Sequence, residues 1–426
     1  MDRPSGVFDP MNVSGVVSRV LLAALATATV GIAVAQDPAP TPRPATPTPA
    51  PAAQAGAAAA LSDDLPTPPP PSVTGSAWLV MDYATGQVLA GEHIDERMEP
   101  ASITKVMTSY VIAAELAAGK ISVDDQVMMT ENAWRKGGAG TDGSYSGFPV
   151  NQTAKLLDME IGMVVQSGND AAIALAEHVA GSEEAFAQLM NAYAARIGMK
   201  NSNFTNATGL SGTDHYSTAR DLAILGRAMV RDYPEEYAHN KIREFTVGPI
   251  TQHNRNRLLW RDDSVDGIKT GHHSGAGYCL MASAVRGDQR LISVVMGSTG
   301  ESQRATDSMA LLNWGFRFFE THAVYDADKP VSTQTIWKGQ VNEVQLGVAE
   351  PMLVSMPRGK YAQLKPSMDI PETITAPVEK GQAIGTVRVM LGDDVIAERP
   401  LVALEAVEEA GFFKRLWHEF LMWWNS

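Results

Sequence analysis

Between residues 37 and 73 the chain consists largely of proline, alanine and threonine, and this tract limits where a folded structure can begin. It includes the runs PAPTPRPATPTPAPAAQAGAAAA and TPPPPS. Such a segment has too little apolar area to form a core, and its prolines keep the backbone extended. We therefore assign residues 36–73 to a disordered linker without chemistry and expect ordered structure from residue 74 onward.

An apolar stretch from Val20 to Ala35 precedes this tract and predicts a secretory signal peptide over residues 1–35. The stretch follows a basic residue and ends in small residues that suit a cleavage site. It is shorter than the ~20 residues that comfortably span a bilayer, and an uncleaved anchor helix is the alternative interpretation. The residues before Met11 lack signal character, so the start codon stays open between Met1 and Met11.

Net charge and cysteine content exclude several classes of function. The formal net charge of -14 argues against nucleic-acid binding, which needs clustered Lys and Arg. Cys279 is the only cysteine in the sequence, so neither an internal disulfide nor a cysteine-based metal cluster can form. We expect Cys279 to be a small, unreactive residue of the core or of a strand. A chain of 426 residues is long enough for two or three packed domains.

The hydrophobic periodicity after residue 74 predicts a mixed domain followed by a smaller all-β domain. AWLVMDYATGQVLAGEH predicts a hairpin, helical runs follow, and GYCLMASAVR and RLISVVMG predict strands before a helix through DSMALLNWGFRFFE. Strands at both ends with helices between them indicate one sheet covered by helices over residues 74–322. Short alternating strands over residues 323–407 indicate a β-rich domain, in which we identify no catalytic residue set.

The last segment, residues 408–426, predicts an amphipathic helix. It is too short to span a membrane and contains three tryptophans, which favour the headgroup region. We predict that it anchors the chain peripherally to the inner-membrane surface, and a helix docked on the protein body is the alternative. The apolar face comprises Phe412, Phe413, Leu416, Trp417, Phe420, Leu421 and Trp424, and the polar face comprises Lys414, Arg415, His418 and Glu419.

Ser102 and Lys105 stand three residues apart at the start of a predicted helix. Positions i and i+3 share a helix face, so we expect the Lys105 amine within hydrogen-bonding reach of the Ser102 hydroxyl. A serine needs a base to become a nucleophile, and a lysine kept neutral by burial or by nearby cations can be that base. Backbone N–H groups at the helix start also point at the reacting carbon. The spacing alone is weak evidence, because an ordinary solvated first turn has the same pattern.

The tripeptide Ser167-Gly168-Asn169 lies between two helical runs. The Ser167 hydroxyl can pass a proton to a leaving amine, and the Asn169 amide can hold both the lysine and the substrate. A simple helix cap is the alternative interpretation.

A third tripeptide, Lys269-Thr270-Gly271, leads into a predicted strand. A strand edge with small residues lets an extended peptide pair with it through main-chain bonds. Lys269 supplies positive charge, Thr270 supplies a hydroxyl for a carboxylate, and Gly271 gives clearance for close approach. Taken alone, this tripeptide is more typical of a basic turn.

In this order, the three motifs resemble the active-site set of serine β-lactamases and penicillin-binding proteins. The runs ASITKVMTSYV, LLDMEIGMVVQSGNDAAIALAEHVAG and NRNRLLWRDDSVDGIKTGH are similar to D-alanyl-D-alanine carboxypeptidases, the low-molecular-mass penicillin-binding proteins. The resemblance is close over about residues 76–322 and continues to the end with less detail. It implies an α+β architecture: a β-lactamase/transpeptidase-like domain with helices covering a sheet, then a small all-β domain and a C-terminal amphipathic helix.

The resemblance also implies catalytic roles. Ser102 would form the acyl-enzyme, and Lys105 would take the proton of its hydroxyl. Ser167 and Asn169 would complete the proton relay.

Substrate-binding roles follow from the same resemblance. Lys269 and Thr270 would contact the substrate carboxylate, with Gly271 between them and the oxyanion hole. That hole would comprise the backbone N–H of the nucleophile and that of His272. Arg304, in the run GSTGESQRATDS, would also hold the terminal carboxylate.

The implied activity is removal of the terminal D-alanine from peptidoglycan pentapeptides, with β-lactams acylating the same serine, at the periplasmic face of the inner membrane. No metal or organic cofactor is implied, because adjacent His272 and His273 diverge and lack a third ligand. A β-lactamase is the nearest alternative, although the β-domain, the tail and the lack of a Glu-x-x-Leu-Asn segment argue against it. A DD-endopeptidase would use the same residues. A wall-binding scaffold without catalysis would have no need of Ser102, Lys105 and Ser167.

Overall fold

The computed structural model describes residues 67–141 and 143–425. The predicted signal peptide, both candidate start codons and residues 36–66 of the predicted linker lie outside this part of the chain. The last residues of that linker contact the folded domain, since Trp314 Nε1 donates a hydrogen bond of 3.0 Å to the Pro68 carbonyl. Among the described residues, no helix combines the length and the apolar character needed to cross a bilayer.

The first domain is built on a five-stranded antiparallel sheet with the strand order β2-β1-β9-β8-β7. Two antiparallel strand pairs lie outside it, namely β3 with β4 and the hairpin β5–β6. The strands are β1 (Ala77–Asp82), β2 (Val88–Glu92), β3 (Gln126–Met128), β4 (Thr153–Lys155), β5 (Glu244–Val247), β6 (Ile250–His253), β7 (Val265–His273), β8 (Gly277–Arg286) and β9 (Gln289–Ser298).

Eight helices accompany this sheet in the described part of the domain, together with short 3-10 turns. One such turn, Ala101–Ile103, immediately precedes the first helix. The helices are α1 (Thr104–Ala117), α2 (Glu131–Gly137), α3 (Leu156–Gln166), α4 (Asn169–Ala180), α5 (Glu183–Ile197), α6 (Ala219–Asp232), α7 (Pro234–Tyr237) and α8 (Glu301–Phe318).

The sheet separates two hydrophobic cores, and the alternation along β1 shows how. Successive side chains of a strand point to opposite faces. Ala77, Leu79 and Met81 belong to the larger core formed with α1, α4, α5 and α6. Trp78 and Val80 belong to the smaller core, which α8 covers. The predicted α+β domain, a sheet covered by helices, is therefore present, and its edge strand β7 stays unpaired on one side.

A second domain of short strands follows directly on α8. The predicted helix through DSMALLNWGFRFFE is wrong at its end, because α8 stops at Phe318 and the next residue begins a strand. Six strands form one sheet in the order β14-β16-β17-β12-β11-β15, and β10 pairs with β13. The strands are β10 (Phe319–Tyr325), β11 (Ser332–Trp337), β12 (Glu343–Gly347), β13 (Met352–Pro357), β14 (Leu364–Asp369), β15 (Ile374–Thr375), β16 (Ala383–Leu391) and β17 (Asp394–Ala403).

The chain closes with an amphipathic helix, α9 (Phe412–Asn425), whose polar face contacts the β-rich domain. His418 Nδ1 accepts a hydrogen bond of 2.8 Å from the Lys338 backbone N–H, and Lys338 Nζ lies 2.7 Å from Glu419 Oε1. Lys414 Nζ donates a hydrogen bond of 2.9 Å to the Gln340 carbonyl, two residues after Lys338. The apolar side chains are left exposed, namely Phe412, Phe413, Leu416, Trp417, Phe420, Trp423 and Trp424.

Candidate active site

Ser102 lies in the 3-10 turn Ala101–Ile103, two residues before α1 begins, and so just ahead of the helix at whose start it was predicted. Ala101 has a φ of 47°, in the left-handed region that an alanine rarely adopts. Gly209 packs under this turn, and a Cβ at Gly209 would lie 1.8 Å from the Ala101 carbonyl oxygen. Only glycine can occupy that position. The loop that contains Gly209 therefore packs directly against the turn that contains Ser102.

Lys105 is buried and directs its amine at the Ser102 hydroxyl, as the spacing predicted. The distance from Lys105 Nζ to Ser102 Oγ is 3.0 Å. The amine also donates to Asn169 Oδ1 and to the Thr208 carbonyl, each at 2.7 Å. Three acceptors therefore match the three N–H donors of the ammonium form.

Burial lowers the pKa of Lys105 from its ordinary value to about 7. The negative charge of Asp170 opposes this shift, the positive charge of Arg255 adds to it, and the negative charge of Glu183 opposes it. A lysine with such a pKa is substantially neutral near neutral pH, and a neutral amine can accept a proton from a hydroxyl.

Ser167 and Asn169 stand at the junction of two helices that meet at the cleft. Ser167 ends α3 with a φ of 62°, and this left-handed residue turns the chain so that α4 begins at Asn169. The Asn169 side chain holds the Lys105 amine, and its backbone N–H donates to the Ser144 carbonyl at 2.8 Å. The cap interpretation does not account for these contacts, because neither side chain caps α4.

No role was predicted for Asp170, yet its carboxylate fixes the segment at Ser146, next to the cleft-lining residue Ser144. Its carboxylate accepts hydrogen bonds from the Ser146 N–H at 2.8 Å and from the Ser146 hydroxyl at 2.9 Å. Burial raises the pKa of Asp170, and the hydrogen bonds from Ser146 and Ala171 oppose that rise. The sequence signal was its position directly after Asn169, at the start of a helix where carboxylates are favoured.

Lys269, Thr270 and Gly271 lie inside β7, the edge strand of the sheet, and not in a segment leading into β8 as predicted. Burial lowers the pKa of Lys269 well below its ordinary value, and the positive charges of Lys105, Arg255 and Arg304 lower it further. A Cβ at Gly271 would lie 2.8 Å from the Pro100 carbonyl and 3.2 Å from the nucleophile's backbone nitrogen. The clearance that Gly271 provides therefore serves the nucleophile turn packed against β7.

His272 and Arg304, both predicted from the resemblance, line the same cavity as Ser102. The His272 ring stacks on Tyr278 with 4.0 Å between the ring centroids. Arg304, on α8, donates to the Gly271 carbonyl at 2.8 Å and to the Cys279 carbonyl at 3.4 Å. Arg304 therefore also braces the edge strand, and Cys279 is buried in the sheet as expected.

A cavity of about 570 Å³ joins these residues in one cleft. Basic side chains line this cleft although the chain as a whole is acidic, namely Lys136, Arg255 and Arg304. It is lined by Ser102, Lys136, Thr141, Gly143, Ser144, Ser167, Asn169, Thr208, Gly209, Leu210, Arg255, Thr270, Gly271, His272, His273 and Arg304.

Arg255 was missed by the motif analysis, although it lies in the run NRNRLLWRDDSVDGIKTGH that carries the resemblance. Its side chain is exposed to the cleft and has no hydrogen-bond or ion-pair partner among the described residues. Its positive charge acts on Lys105, Lys269 and Arg304. An unpaired guanidinium in this position suits a carboxylate of a ligand.

His215 was missed as well, and it positions the start of α1. Its Nε2 lies 2.8 Å from Thr104 Oγ1, and its Nδ1 accepts from the Thr205 N–H at 3.1 Å, so Nε2 carries the proton. Burial lowers the pKa of His215 to about 4, so the ring is neutral. Thr108 Oγ1, on α1, also donates a hydrogen bond of 2.7 Å to the Ala207 carbonyl. Nothing local in the sequence indicates this pairing, since 111 residues separate Thr104 from His215.

The arrangement has the parts of an acyl-transfer site. A hydroxyl contacts a buried amine of lowered pKa, and a second hydroxyl lines the same cavity. The edge strand β7 and the guanidinium groups of Arg255 and Arg304 border the same cavity. In the described residues, no group of three or more His, Cys, Asp or Glu side chains is arranged to hold a metal ion. His273 Nδ1 accepts from the backbone N–H groups of Gly275 and Ala276, at 3.2 and 3.1 Å.

Comparison with known protein families gives two matches along the chain. The D-alanyl-D-alanine carboxypeptidase family matches residues 65–300, and the C-terminal domain of penicillin-binding protein 5 matches residues 319–409. The chain belongs to the D-alanyl-D-alanine carboxypeptidase family. It is accordingly a hydrolase of the serine-peptidase type.

Individual members of the family are similar over most of the chain. D-alanyl-D-alanine carboxypeptidase DacC of Escherichia coli K12 is 47% identical over 363 residues, which cover 83% of this chain and 90% of DacC. The crystal structure of penicillin-binding protein 5 from Haemophilus influenzae matches with a TM-score of 0.77 and 41% identity, covering 80% of this chain and all of that one. The predicted catalytic fold followed by an all-β domain is thereby confirmed.

A more distant neighbour has an antibiotic bound. Penicillin-binding protein D2 from Listeria monocytogenes in its ampicillin-bound form matches with a TM-score of 0.53 and 27% identity. The match covers 58% of this chain and all of that one.

Proposed function

We propose that this chain is a serine-type D-alanyl-D-alanine carboxypeptidase that removes the terminal D-alanine from peptidoglycan pentapeptides through an acyl-enzyme on Ser102. The observation that carries this proposal is the 3.0 Å contact between Ser102 Oγ and the buried Lys105 amine, whose pKa is lowered to about 7. A nucleophile and its base are thus already in hydrogen-bonding contact beneath the cleft.

Acylation begins with neutral Lys105 accepting the Ser102 proton while Oγ attacks the carbonyl carbon between the two D-alanines. The oxyanion accepts hydrogen bonds from the backbone N–H groups of Ser102 and His272. The C–N bond then breaks, and the leaving amine takes a proton from the Ser167 hydroxyl, which Lys105 replenishes. Asn169 Oδ1 accepts a hydrogen bond from the Lys105 amine and holds it beside the Ser102 hydroxyl.

Deacylation reverses these proton transfers with water in place of the amine. A water molecule gives a proton to Lys105 and attacks the ester carbon, and the bond to Ser102 Oγ breaks as Oγ regains a proton. The products are free D-alanine and a peptide shortened by one residue. No metal or organic cofactor takes part in this scheme.

The terminal carboxylate of the substrate binds at the Lys269 end of β7. Lys269 and Thr270 lie buried along this strand, and Arg255 faces the cleft without another partner in the described chain. Arg304 reaches the same cavity while it braces Gly271. A cluster of cationic donors favours an anionic chain end over an internal peptide bond, which suits a carboxypeptidase better than an endopeptidase.

β-Lactams acylate the same serine, because the strained amide imitates the peptide bond that is cut. The ampicillin-bound neighbour supports this step. A slow release of the penicilloyl group, over minutes or longer, distinguishes the carboxypeptidase from a β-lactamase.

The helix α9 holds the protein at the membrane surface. Its polar face contacts the β-rich domain through Lys338, so its aromatic face points away from the protein and is exposed. Exposed tryptophans at such a face favour the headgroup region of a bilayer. With a signal peptide over residues 1–35 and a linker over residues 36–73, the enzyme works at the periplasmic face of the inner membrane.

Vesicle co-sedimentation tests this membrane proposal. The double substitution Phe413→Glu and Trp417→Glu is expected to release the protein from vesicles of phosphatidylethanolamine and phosphatidylglycerol. Trp260→Glu replaces an exposed tryptophan of the catalytic domain and is the matched control, which should sediment like the unaltered protein. Equal sedimentation of the double variant would argue against anchoring by α9.

The catalytic proposal is tested by D-alanine release from a pentapeptide and by mass spectrometry after penicillin treatment. Ser102→Ala should lose release by at least about 10³-fold and take up no adduct. Ser122→Ala, at an exposed serine beyond α1, should behave like the unaltered protein. Release by Ser102→Ala at the normal rate would refute the proposal.

A further inference from the structure

A second cavity, of about 550 Å³, adjoins the cleft at the His273 end of β7. Leu210 and His273 line the cleft, while the next residue of the loop, Ser211, lines the second cavity together with Glu99. A hydrogen bond from the Ser211 hydroxyl to Glu99 Oε1 marks the boundary between the two. The motif residues and the proposed mechanism leave this cavity without a function.

Two opposite charges face this cavity from one short stretch of chain. Met98 forms an isolated antiparallel bridge with Ser217, with reciprocal backbone hydrogen bonds of 2.9 Å. In such an extended segment, residues i and i+2 project to the same side. Arg97 and Glu99 therefore project together, and both line the cavity.

Neither charge is fully satisfied within the described part of the chain. Glu99 Oε2 accepts no hydrogen bond there, and His273 Nδ1 lies 4.0 Å from it. That nitrogen already accepts two backbone N–H groups, so it has no proton to donate to Glu99. Arg97 lies over the Tyr216 ring, with 4.5 Å from the guanidinium carbon to the ring centroid, and has no ion pair.

The direction of the bound peptide brings the residues on the amino side of the cut bond to this cavity. The terminal carboxylate binds at the Lys269 end of β7 under the proposed function, on which this step rests. A peptide paired antiparallel to β7 then has its carboxyl end at Lys269, passes Ser102, and has its amino side toward His273. Its residues on the amino side of the cut leave the cleft where Glu99 stands.

We infer that this cavity is the subsite for a donor-peptide side chain that ends in both an ammonium group and a carboxylate, as in a diamino dicarboxylic acid. Glu99 Oε2 accepts a hydrogen bond from the ammonium group. Arg97 pairs with the carboxylate. A side chain with only one of these groups engages one of the two residues.

The inference is tested with three peptides that all end in D-Ala-D-Ala and differ in the residue preceding that pair. This residue is diaminopimelic acid, lysine or Nε-acetyl-lysine, so it offers both charges, the amine alone or neither. We expect kcat/KM for D-alanine release to fall at each step, by about tenfold from the first peptide to the last. Glu99→Gln should bring the lysine and acetyl-lysine peptides to equal kcat/KM, and Arg97→Gln should equalise the diaminopimelic acid and lysine peptides.

Glu96→Gln makes the same charge change three residues away, outside the cavity, and should keep the full preference. The rate of penicillin acylation is measured on every variant, so that each preference is compared among proteins with a reactive Ser102. Equal kcat/KM for the three peptides in the unaltered enzyme would overturn the inference, as would an unchanged preference in Glu99→Gln and Arg97→Gln. Absence of D-alanine release from every peptide would instead contradict the proposed function.

Discussion

Lys105 at the cleft and Glu160 in the interior are both buried titratable side chains, and they differ in what surrounds them. The Lys105 amine has three hydrogen-bond acceptors within 3.0 Å. Within residues 67–141 and 143–425, neither oxygen of Glu160, on α3, has a hydrogen-bond partner, and His239 Nδ1 lies 3.8 Å from Oε2. Burial raises the pKa of Glu160 to about 8, and the negative charge of Glu236 adds to that rise.

The difference shows what makes a buried titratable group useful for catalysis. Loss of hydration shifts both groups toward their neutral forms. Only Lys105 has acceptors that stabilise its charged form, so it can gain and lose a proton near neutral pH at small cost. Glu160 has no hydrogen-bond donors in the described structure that would stabilise its carboxylate form, so it stays protonated at neutral pH. It therefore makes stability depend on pH and does not act as a base.

The largest expected effect is that of removing the buried amine itself. Lys105→Ala leaves Ser102 without a base, and we expect penicillin acylation to fall by about 10³-fold or more. Stopped-flow acylation at pH 7 measures this loss. Lys120→Ala, at an exposed lysine just after α1, provides the control and should acylate normally. A loss below tenfold in Lys105→Ala would mean that another group activates Ser102.

Glu160→Gln should change stability with pH rather than activity. The folded pKa of Glu160 is raised, so its stabilisation is complete below the unfolded value of 4.5 and is lost as pH rises to about 8. Over that window the free energy of unfolding should fall by up to about 1.4 kcal/mol per pH unit. Glutamine does not ionise, so the variant should gain a few kcal/mol relative to the unaltered protein between these pH values.

Urea unfolding at several pH values between 5 and 8 measures this difference. Glu184→Gln, at an exposed carboxylate of α5, is the control, and its difference from the unaltered protein should not grow with pH in the same direction. A constant difference between Glu160→Gln and the unaltered protein would show that Glu160 ionises normally in the fold.

The contrast also marks what the sequence could predict. The contact between Ser102 and Lys105 followed from helical spacing, although the hydroxyl lies in a 3-10 turn just before α1. The burial of Glu160 on α3 could not be predicted in this way. The turn at residues 238–241, which packs against it, lies some eighty positions away along the chain.

The same limit applies to the parts of the cleft that motifs do not mark. Arg255 lies in a loop outside the three motifs, and only tertiary structure brings it to Lys105 and Lys269. Thr208 acts through its backbone carbonyl, which has no sequence signature. Side chains placed by local periodicity were predictable, whereas partners supplied by distant loops were not.

A third prediction concerns the cation that helps to keep Lys105 neutral. The acylation rate should rise with pH up to about 7 and then level off, as the Lys105 amine loses its proton. Arg255→Gln removes a positive charge that lowers the pKa of Lys105, so this limb of the pH profile should move to higher pH. Loss of a carboxylate partner should also raise KM for the pentapeptide by about tenfold.

Arg257→Gln provides the control, because that exposed arginine pairs with Glu301 and does not line the cleft. Its pH profile should coincide with that of the unaltered enzyme. If Arg255→Gln leaves both the profile and KM unchanged, neither of its proposed effects is real.

The smallest expected effect has the opposite sign. The negative charge of Glu183 raises the pKa of Lys105, although burial dominates, so Glu183→Gln should move the rising limb of the acylation profile to lower pH. Glutamine can still accept the hydrogen bond that Glu183 Oε1 receives from the Ala207 N–H at 3.2 Å, so the loop beside the cleft should keep its position. Below pH 7 this variant should acylate faster than the unaltered enzyme, and Arg255→Gln should acylate more slowly. Shifts in the same direction would mean that these substitutions act by moving the loop or the lysine, and that the pKa of Lys105 does not follow the charges around it.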